Sequence, residues 1–542
     1  MDSSLLESFF RQMSSFRIIE AEFLLESSIL MINEDQTGNL LFKGKPCCFA
    51  ITIDICYLYK IGQVKKQVQI LAEFSVKSLL GSSFRRIDKN ICNLDIFLCC
   101  PVNNWCCGAS KQSENRRRKR KHITISFNFK NAPNEEICIN WMNTLQSLSS
   151  GIVPSTPFNS PDSILGLPSD INSFKVPAPP IRKFLVIVNP VSGRGTAMQV
   201  WSSTTKPMLQ EAGITYTFIK TTHANHARSL ISGMSEEEQS QYSAVLVIGG
   251  DGLLFEVVNG FSDRVLLPSS SSILSSNELQ SSNNGLSNAL PSQLVSQDAI
   301  QHLQRIFYSV NIAPIPGGTG NGLVKTILHE CGEAYSAMNA TFVAIKGQPR
   351  PVDLSCVRLS NGARMMSFLS LSTGLVSDID ILSESMRWMG EMRLYVAAVY
   401  YMLRKRLYSG KLYLKLSEST SSGWDVVVEG SHIGVWVTQT AYVASTMCVN
   451  PAAHLGDGVF TVFVMQPMSR WRLLQLLLEM DTGGHITHPY VKMYVCSQYL
   501  FAPEVDMSNG VYSLDGEAVD AGPLEGVMLK GMARFLSLPA QA

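Results

Sequence analysis

Three glycine-rich turns carry the chemistry that this sequence suggests: Asn189-Pro190-Val191-Ser192-Gly193-Arg194-Gly195, Gly249-Gly250-Asp251-Gly252 and Pro316-Gly317-Gly318-Thr319-Gly320-Asn321. Each follows an apolar run and precedes a helical one. Without side chains in the way, backbone amides at such turns can approach phosphate, and helix N-termini favour negative charge there. Glycine is also the default residue for any tight strand-to-helix connection. Three such turns in order within one sheet nevertheless favour a shared nucleotide crevice. Asp251, inside the second turn, is suited to accept the proton of an attacking hydroxyl, and equally suited to cap a helix.

Other polar clusters have bland readings when taken alone. Thr221, Thr222, His223, Ala224 and Asn225 read as helix capping, and Glu256 as a surface glutamate. Ser377-Asp378-Ile379-Asp380, with Arg387 and Gly390-Glu391-Met392-Arg393 beyond it, reads as a solvated charge run, although an arginine fork also matches phosphate oxygens in pairs. Asp515-Gly516-Glu517 reads as a turn. Familiar nucleotide motifs are excluded directly: GxxxxGK[ST], GxGxxG, HRD and DFG do not occur.

The elements that must position these residues follow from the alternation pattern. From residue 184, apolar strands alternate with helical runs, which predicts an α/β lobe with a parallel sheet over 182–352, interrupted by a Ser/Asn-rich surface insertion at 268–297. Strand-like runs then dominate 353–542, predicting an antiparallel β-sandwich lobe with strands near 364–371, 411–417, 424–429, 433–438, 459–465, 490–500 and 527–538. Residues 1–150 hold short alternating runs at 50–59, 68–80 and 122–130 and a closing helical stretch from Glu135, the pattern of a small β-rich module that resembles a pleckstrin-homology domain. Residues 151–181 read as a Ser/Pro-rich linker.

The 542 residues are 45% hydrophobic and 16% charged with a formal net charge of +1, which excludes a mainly disordered chain and a globally basic nucleic-acid binder. The longest apolar stretch, 394–403, reaches about half the length of a membrane span, and the first residues do not read as a secretion signal. The 13 cysteines are therefore expected to stay reduced; nine fall at or before Cys138, and none is in a CxxC pair. The basic run 116–121 (RRRKRK) reads as a loop between strands, solvated, touching anionic lipid or serving as a nuclear address. Residues 471–480 (WRLLQLLLEM) predict an amphipathic helix with Trp471, Leu474, Leu477 and Leu478 on one face and Leu473 and Leu476 widening the stripe, turned to the core or to a membrane.

Taken in order, NPxxGxG, GGDG with Glu256, PGGTGN, GEMR and DGE resemble the diacylglycerol kinase catalytic superfamily, and within it the sphingosine kinases, from about residue 183 to the C-terminus. The resemblance implies a nucleotide-binding α/β lobe followed by a β-sandwich lipid lobe, and an enzyme that phosphorylates the primary hydroxyl of a sphingoid base using ATP and Mg²⁺. Ceramide or diacylglycerol kinase activity and a catalytically silent lipid-binding scaffold are the alternatives. It implies Asp251 as catalytic base. ATP would be bound by Asn189, Pro190, Val191, Thr221, Thr222, His223, Ala224, Asn225, Glu256, Gly318, Thr319, Gly320, Arg387, Arg393, Asp515, Gly516 and Glu517. The lipid would be bound by Gly249, Gly250, Asp251, Gly252 and Asp380. No metal ligand is assigned. A carboxylate beside a lipid tunnel suits an amino-diol better than a neutral glyceride, which favours Asp380 as reader of the head group. The expected setting is cytoplasmic and peripheral to a membrane surface, with no nucleic acid partner and a homodimer left open.

Overall fold

The structure is a computed structural model. It describes 40–42, 45–46, 48–51, 55–61, 68–75, 78–86, 91–101, 117–128, parts of 139–149, and everything from 181 except 267–293, 319, 385, 387–391, 405, 481–482, 505–510 and 541–542. The predicted insertion at 268–297 thus lies mostly outside the described residues. Contacts divide the chain into two compact units: residues 1–112, 116–182 and 206–215 form the first, and 113–115, 183–205 and 216–542 the second.

In the first unit, strands β1 (Leu40–Phe42), β2 (Lys45–Pro46), β6 (Leu79–Arg86), β7 (Ile91–Pro101) and β8 (Arg118–Asn128) form an antiparallel sheet in the order β2-β1-β8-β7-β6. Strands β3 (Cys48–Ile51), β4 (Ile55–Ile61) and β5 (Val68–Ser75) form a separate sheet of three. The helical stretch closes on β6, with Ser82 Oγ donating to Met142 O at 3.0 Å and Gln146 Nε2 to Ser82 O at 2.9 Å, above the fully buried Leu145. The basic run corrects the loop expectation, because Arg118–Lys121 is the start of β8, paired with Pro101–Leu98 of β7. There Arg120 is paired with Glu211, while Lys119 and Lys121 are exposed.

In the second unit, β9 (Lys183–Val188), β11 (Ala244–Gly249) and β12 (Asn311–Pro316) are parallel neighbours, with β10 (Thr215–Lys220) on the edge. Their apolar runs are buried along nearly their whole length, as expected for a parallel sheet covered on both faces. The sheet then continues without a break into the β-rich lobe through β23 (Leu524–Ser537), which is parallel to β12 and antiparallel to β13 (Gln348–Arg358) and β20 (Val491–Pro503). The expected division at 352/353 falls inside β13, so the two lobes share one sheet. Asn259 adds a second tie: from the helix Asp251–Leu266 its amide donates to Met366 O at 3.0 Å and accepts from Met366 N at 2.9 Å, replacing a ladder partner of β14 (Arg364–Ser367).

Beyond β14 come β15 (Ser370–Gly374), β16 (Tyr408–Leu416), β17 (Val426–His432), β18 (Gly434–Thr438), β19 (Phe460–Met465), β21 (Val511–Leu514) and β22 (Glu517–Asp520). The helix Arg470–Glu479 packs through Leu473 and Leu476, not through the face centred on Trp471 and Leu478, which are exposed. Those two side chains and Val396, Val399, Tyr400 and Leu403 of the helix Met392–Arg404 are all large, apolar and exposed. No helix among the described residues is long and apolar enough to cross a membrane.

Candidate active site

The three glycine turns meet at the carboxyl ends of β9, β11 and β12, because the parallel register sets Ile248 beside Val188 and Gly249 beside Pro316. Backbone bonds join them: Asn189 N donates to Ile248 O at 3.2 Å, Gly317 N to Gly249 O at 2.9 Å and Asp251 N to Gly320 O at 3.2 Å. A Cβ on Gly318 would lie 2.6 Å from Gly250 Cα, so the second and third turns pack backbone to backbone. Glycine is therefore required there by the protein's own packing as well as suited to a ligand. In the first turn, Asn189 Oδ1 accepts from Val191 N at 3.1 Å and holds the turn, while the Val191 side chain is 78% exposed.

Asp251 opens its own helix, yet it caps the next one. Its Oδ2 accepts from Gly322 N, the first residue of the helix Gly322–Glu330, at 2.8 Å, and Asn321 supplies no side-chain cap. Both sequence readings of Asp251 are thus compatible in one geometry. Burial pushes its carboxyl up to about 7, with the nearby charge of Asp515 adding to the rise and the Gly322 amide opposing it. A carboxylate poised near neutrality is matched to general-base work. The Tyr335 phenol, unforeseen from sequence, is pushed up by burial and by Asp251, and its hydroxyl meets Ser445 and Asn321.

The other anticipated acids divide into braces and reachers. Glu256 accepts from Asn225 N at 2.9 Å and Ala227 N at 3.0 Å, fixing the turn of Thr221, Thr222, His223, Ala224 and Asn225, where Asn225 is left-handed at φ 63°. Thr222 Oγ1 lies 2.9 Å from His223 Nδ1, and the rings of His223 and His226 stack. Asp515 is almost fully buried, and its carboxylate accepts from Ser367 Oγ at 2.7 Å and from the amides of Phe368, Leu369 and Ser370 at 2.8, 3.0 and 2.9 Å. The carboxylate that the resemblance assigns to ATP thus meets four protein donors. Past Gly516, Glu517 is the member of the triplet set against the second turn, its Oε1 only 2.5 Å from where a Gly252 Cβ would stand.

On the helix Leu375–Glu384, Asp380 Oδ2 accepts from Ser513 Oγ of β21 at 2.5 Å, and Asp378 accepts from the Tyr408 hydroxyl of β16. Burial raises Asp378 above the usual carboxylate range. Beside this helix, Leu375, Ile433, Trp436, Val449, Phe463, Leu473 and Leu476 form an apolar cluster, with Val376 and Ile379 packed against it. Buried His485 lies against Phe463 and Trp436, and burial pushes its imidazole down to about 4, leaving it neutral. Thr319 and Arg387 lie outside the described residues, as does the side chain of Arg393.

Residues 183–357 match the diacylglycerol kinase catalytic domain, and residues 370–536 match the YegS C-terminal NAD kinase beta sandwich-like domain. The chain is a lipid kinase that carries a diacylglycerol kinase catalytic domain. The kinase is 29% identical over 376 residues to "Sphingosine kinase 1" of Mus musculus, covering 64% of this chain and 88% of that protein. It is 27% identical to "Sphingosine kinase 1" of Homo sapiens over the same shares, and 25% identical to "Sphingosine kinase 1" of Arabidopsis thaliana over 63% of this chain and 69% of that one. Among solved structures, a diacylglycerol kinase from Bacillus anthracis str. Sterne is similar at a TM-score of 0.45 and 18% identity, covering 66% of this chain and 98% of its own. The family implies ATP as co-substrate of the kinase.

Proposed function

We propose that this kinase transfers the γ-phosphoryl group of ATP to the primary hydroxyl of a sphingoid base. The observation that carries the reaction is Asp251, held at the junction of the second and third glycine turns with a carboxyl raised to about 7. In this reading Asp251 takes the hydroxyl proton while the turns cradle the phosphates. Substrate class is supported by Asp380, an acid suited to an ammonium on a helix whose Leu375, Val376 and Ile379 pack in the apolar cluster, and by relatives that carry the name sphingosine kinase.

Among the described residues no three His, Cys, Asp or Glu side chains gather as a metal cluster. Mg²⁺ is usually held by one or two carboxylates plus phosphate oxygens. Glu517, which stands against Gly252, would help to hold the ion, and the ion would offset phosphate charge. We read the exposed apolar residues of the helices Met392–Arg404 and Arg470–Glu479 as the side met by a membrane from which the lipid enters. Residues 1–150, followed by the linker 151–181, are read as the pleckstrin-homology-like module of a cytoplasmic, peripheral enzyme.

The test is transfer of labelled γ-phosphate from Mg·ATP to sphingosine, ceramide and diacylglycerol, offered separately in mixed micelles at equal surface density. Label on sphingosine alone is expected. Label on ceramide or diacylglycerol instead would keep Asp251 and discard the head-group role of Asp380, and label on none would favour the silent scaffold.

A further inference from the structure

We propose that Ser513 is a positioning residue that sets the lipid head-group acid, an inference that rests on the sphingoid-base reading of Asp380. Ser513 is 3% exposed and lies on β21, whose register places it opposite Ser372 of β15 and Ala518 of β22, so its backbone is fixed from both sides. From there its hydroxyl donates to Asp380 Oδ2 at 2.5 Å. Hydrogen bonds to charged acceptors are short and strong, and this one fixes the plane of the carboxylate as well as its position.

The helix that carries Asp380 is pinned on two sides. Asp378, two residues earlier and so turned roughly 200° around the axis, is held by the Tyr408 hydroxyl of β16. Rotation of the helix would break one bond or the other, so Asp380 is presented in one orientation. Ser513 also lies two residues before Asp515, which holds the Ser367–Ser370 turn, and four before Glu517, which stands over Gly252. A single strand and turn therefore fix the head-group acid at one end and meet the nucleotide turn at the other.

The experiment is the micellar transfer assay on the full chain with Ser513→Ala, Asp380→Asn and the double variant, and with Ser513→Cys as a less disruptive replacement should the alanine variant fail to fold. Loss of one hydrogen bond to a charged group is expected to raise the KM for sphingosine about tenfold in Ser513→Ala, less in Ser513→Cys, with kcat and the KM for Mg·ATP within about twofold. In the Asp380→Asn background, Ser513→Ala should add nothing, which a general loosening of β21 would not produce. An unchanged sphingosine KM in both Ser513 variants, or the same loss with and without Asp380, overturns the role of Ser513. A parent protein that labels other lipids and not sphingosine overturns the substrate reading instead, so the two failures are distinguishable.

Discussion

Asp251 Oδ2 accepts a hydrogen bond from the backbone amide of Gly322 at 2.8 Å, which makes the proposed base the N-terminal cap of the neighbouring helix. The amide and the helix dipole favour the charged carboxylate, whereas burial and Asp515 favour the neutral acid. Asp251→Asn keeps an oxygen for the Gly322 amide but cannot accept a proton. Transfer should fall roughly 10²–10⁴-fold while nucleotide binding and the cooperative thermal melt persist. Equal activity of variant and parent would remove Asp251 from the chemistry.

The same carboxyl gives a pH dependence with a defined sign. It is raised to about 7 in the folded chain, and the ionised form is the proton acceptor, so kcat/KM should rise with pH through about 7 and fall on the acid side. For stability the direction reverses. The folded state binds the proton more tightly than the unfolded chain, so this group stabilises at pH below about 4 and that contribution is lost as pH rises through about 7. Asp251→Asn should therefore melt higher than the parent at pH 8, by on the order of 1–2 kcal/mol, with the gap closing near pH 5. Differential scanning calorimetry at the two pH values checks this, and a gap that widens toward acid contradicts it.

Packing of the second turn on the third makes a prediction independent of chemistry. A methyl at position 318 would stand 2.6 Å from Gly250 Cα and 2.7 Å from Gly250 N, and backbone cannot yield as a side chain can. Gly318→Ala should cost about 1–3 kcal/mol and abolish transfer. Gly423, with nothing within 4 Å of its Cβ position and no positive φ, is the matched control, and Gly423→Ala should stay within about 0.5 kcal/mol of the parent. Chemical denaturation of both variants decides the matter.

Legibility in the sequence followed the range of the interactions. The strands β9, β11 and β12 show themselves as continuous apolar runs because both of their faces are covered, and the glycines between strand and helix mark the crevice. β13 hides the lobe boundary, since one strand serves both lobes, and β21 and β22 are four residues each, too short to show a period. The start of β8 is masked by its charges: six cations in a row, Arg116–Lys121, read as a loop, whereas pairing with β7 makes the last four of them strand. The bracing roles of Glu256 and Asp515 depend on amides 29–31 and 145–147 residues away, which no local pattern reveals.

The two acids of the DGE triplet should part company when mutated. Asp515→Ala leaves the Ser367 hydroxyl and three buried amides without an acceptor and removes the left-handed residue, at φ 53°, that feeds Gly516. Its loss should cost about 3–5 kcal/mol and lower activity through unfolding, so that transfer per folded molecule recovers at low temperature. Glu517→Gln, on an exposed residue against Gly252, should leave the melting temperature nearly unchanged and weaken Mg·ATP use, seen as a raised KM for Mg·ATP or a changed Mg²⁺ dependence. If the pattern is reversed, with Glu517→Gln unfolding the chain and Asp515→Ala altering only nucleotide kinetics, then the buried carboxylate serves the nucleotide and the exposed one serves the fold.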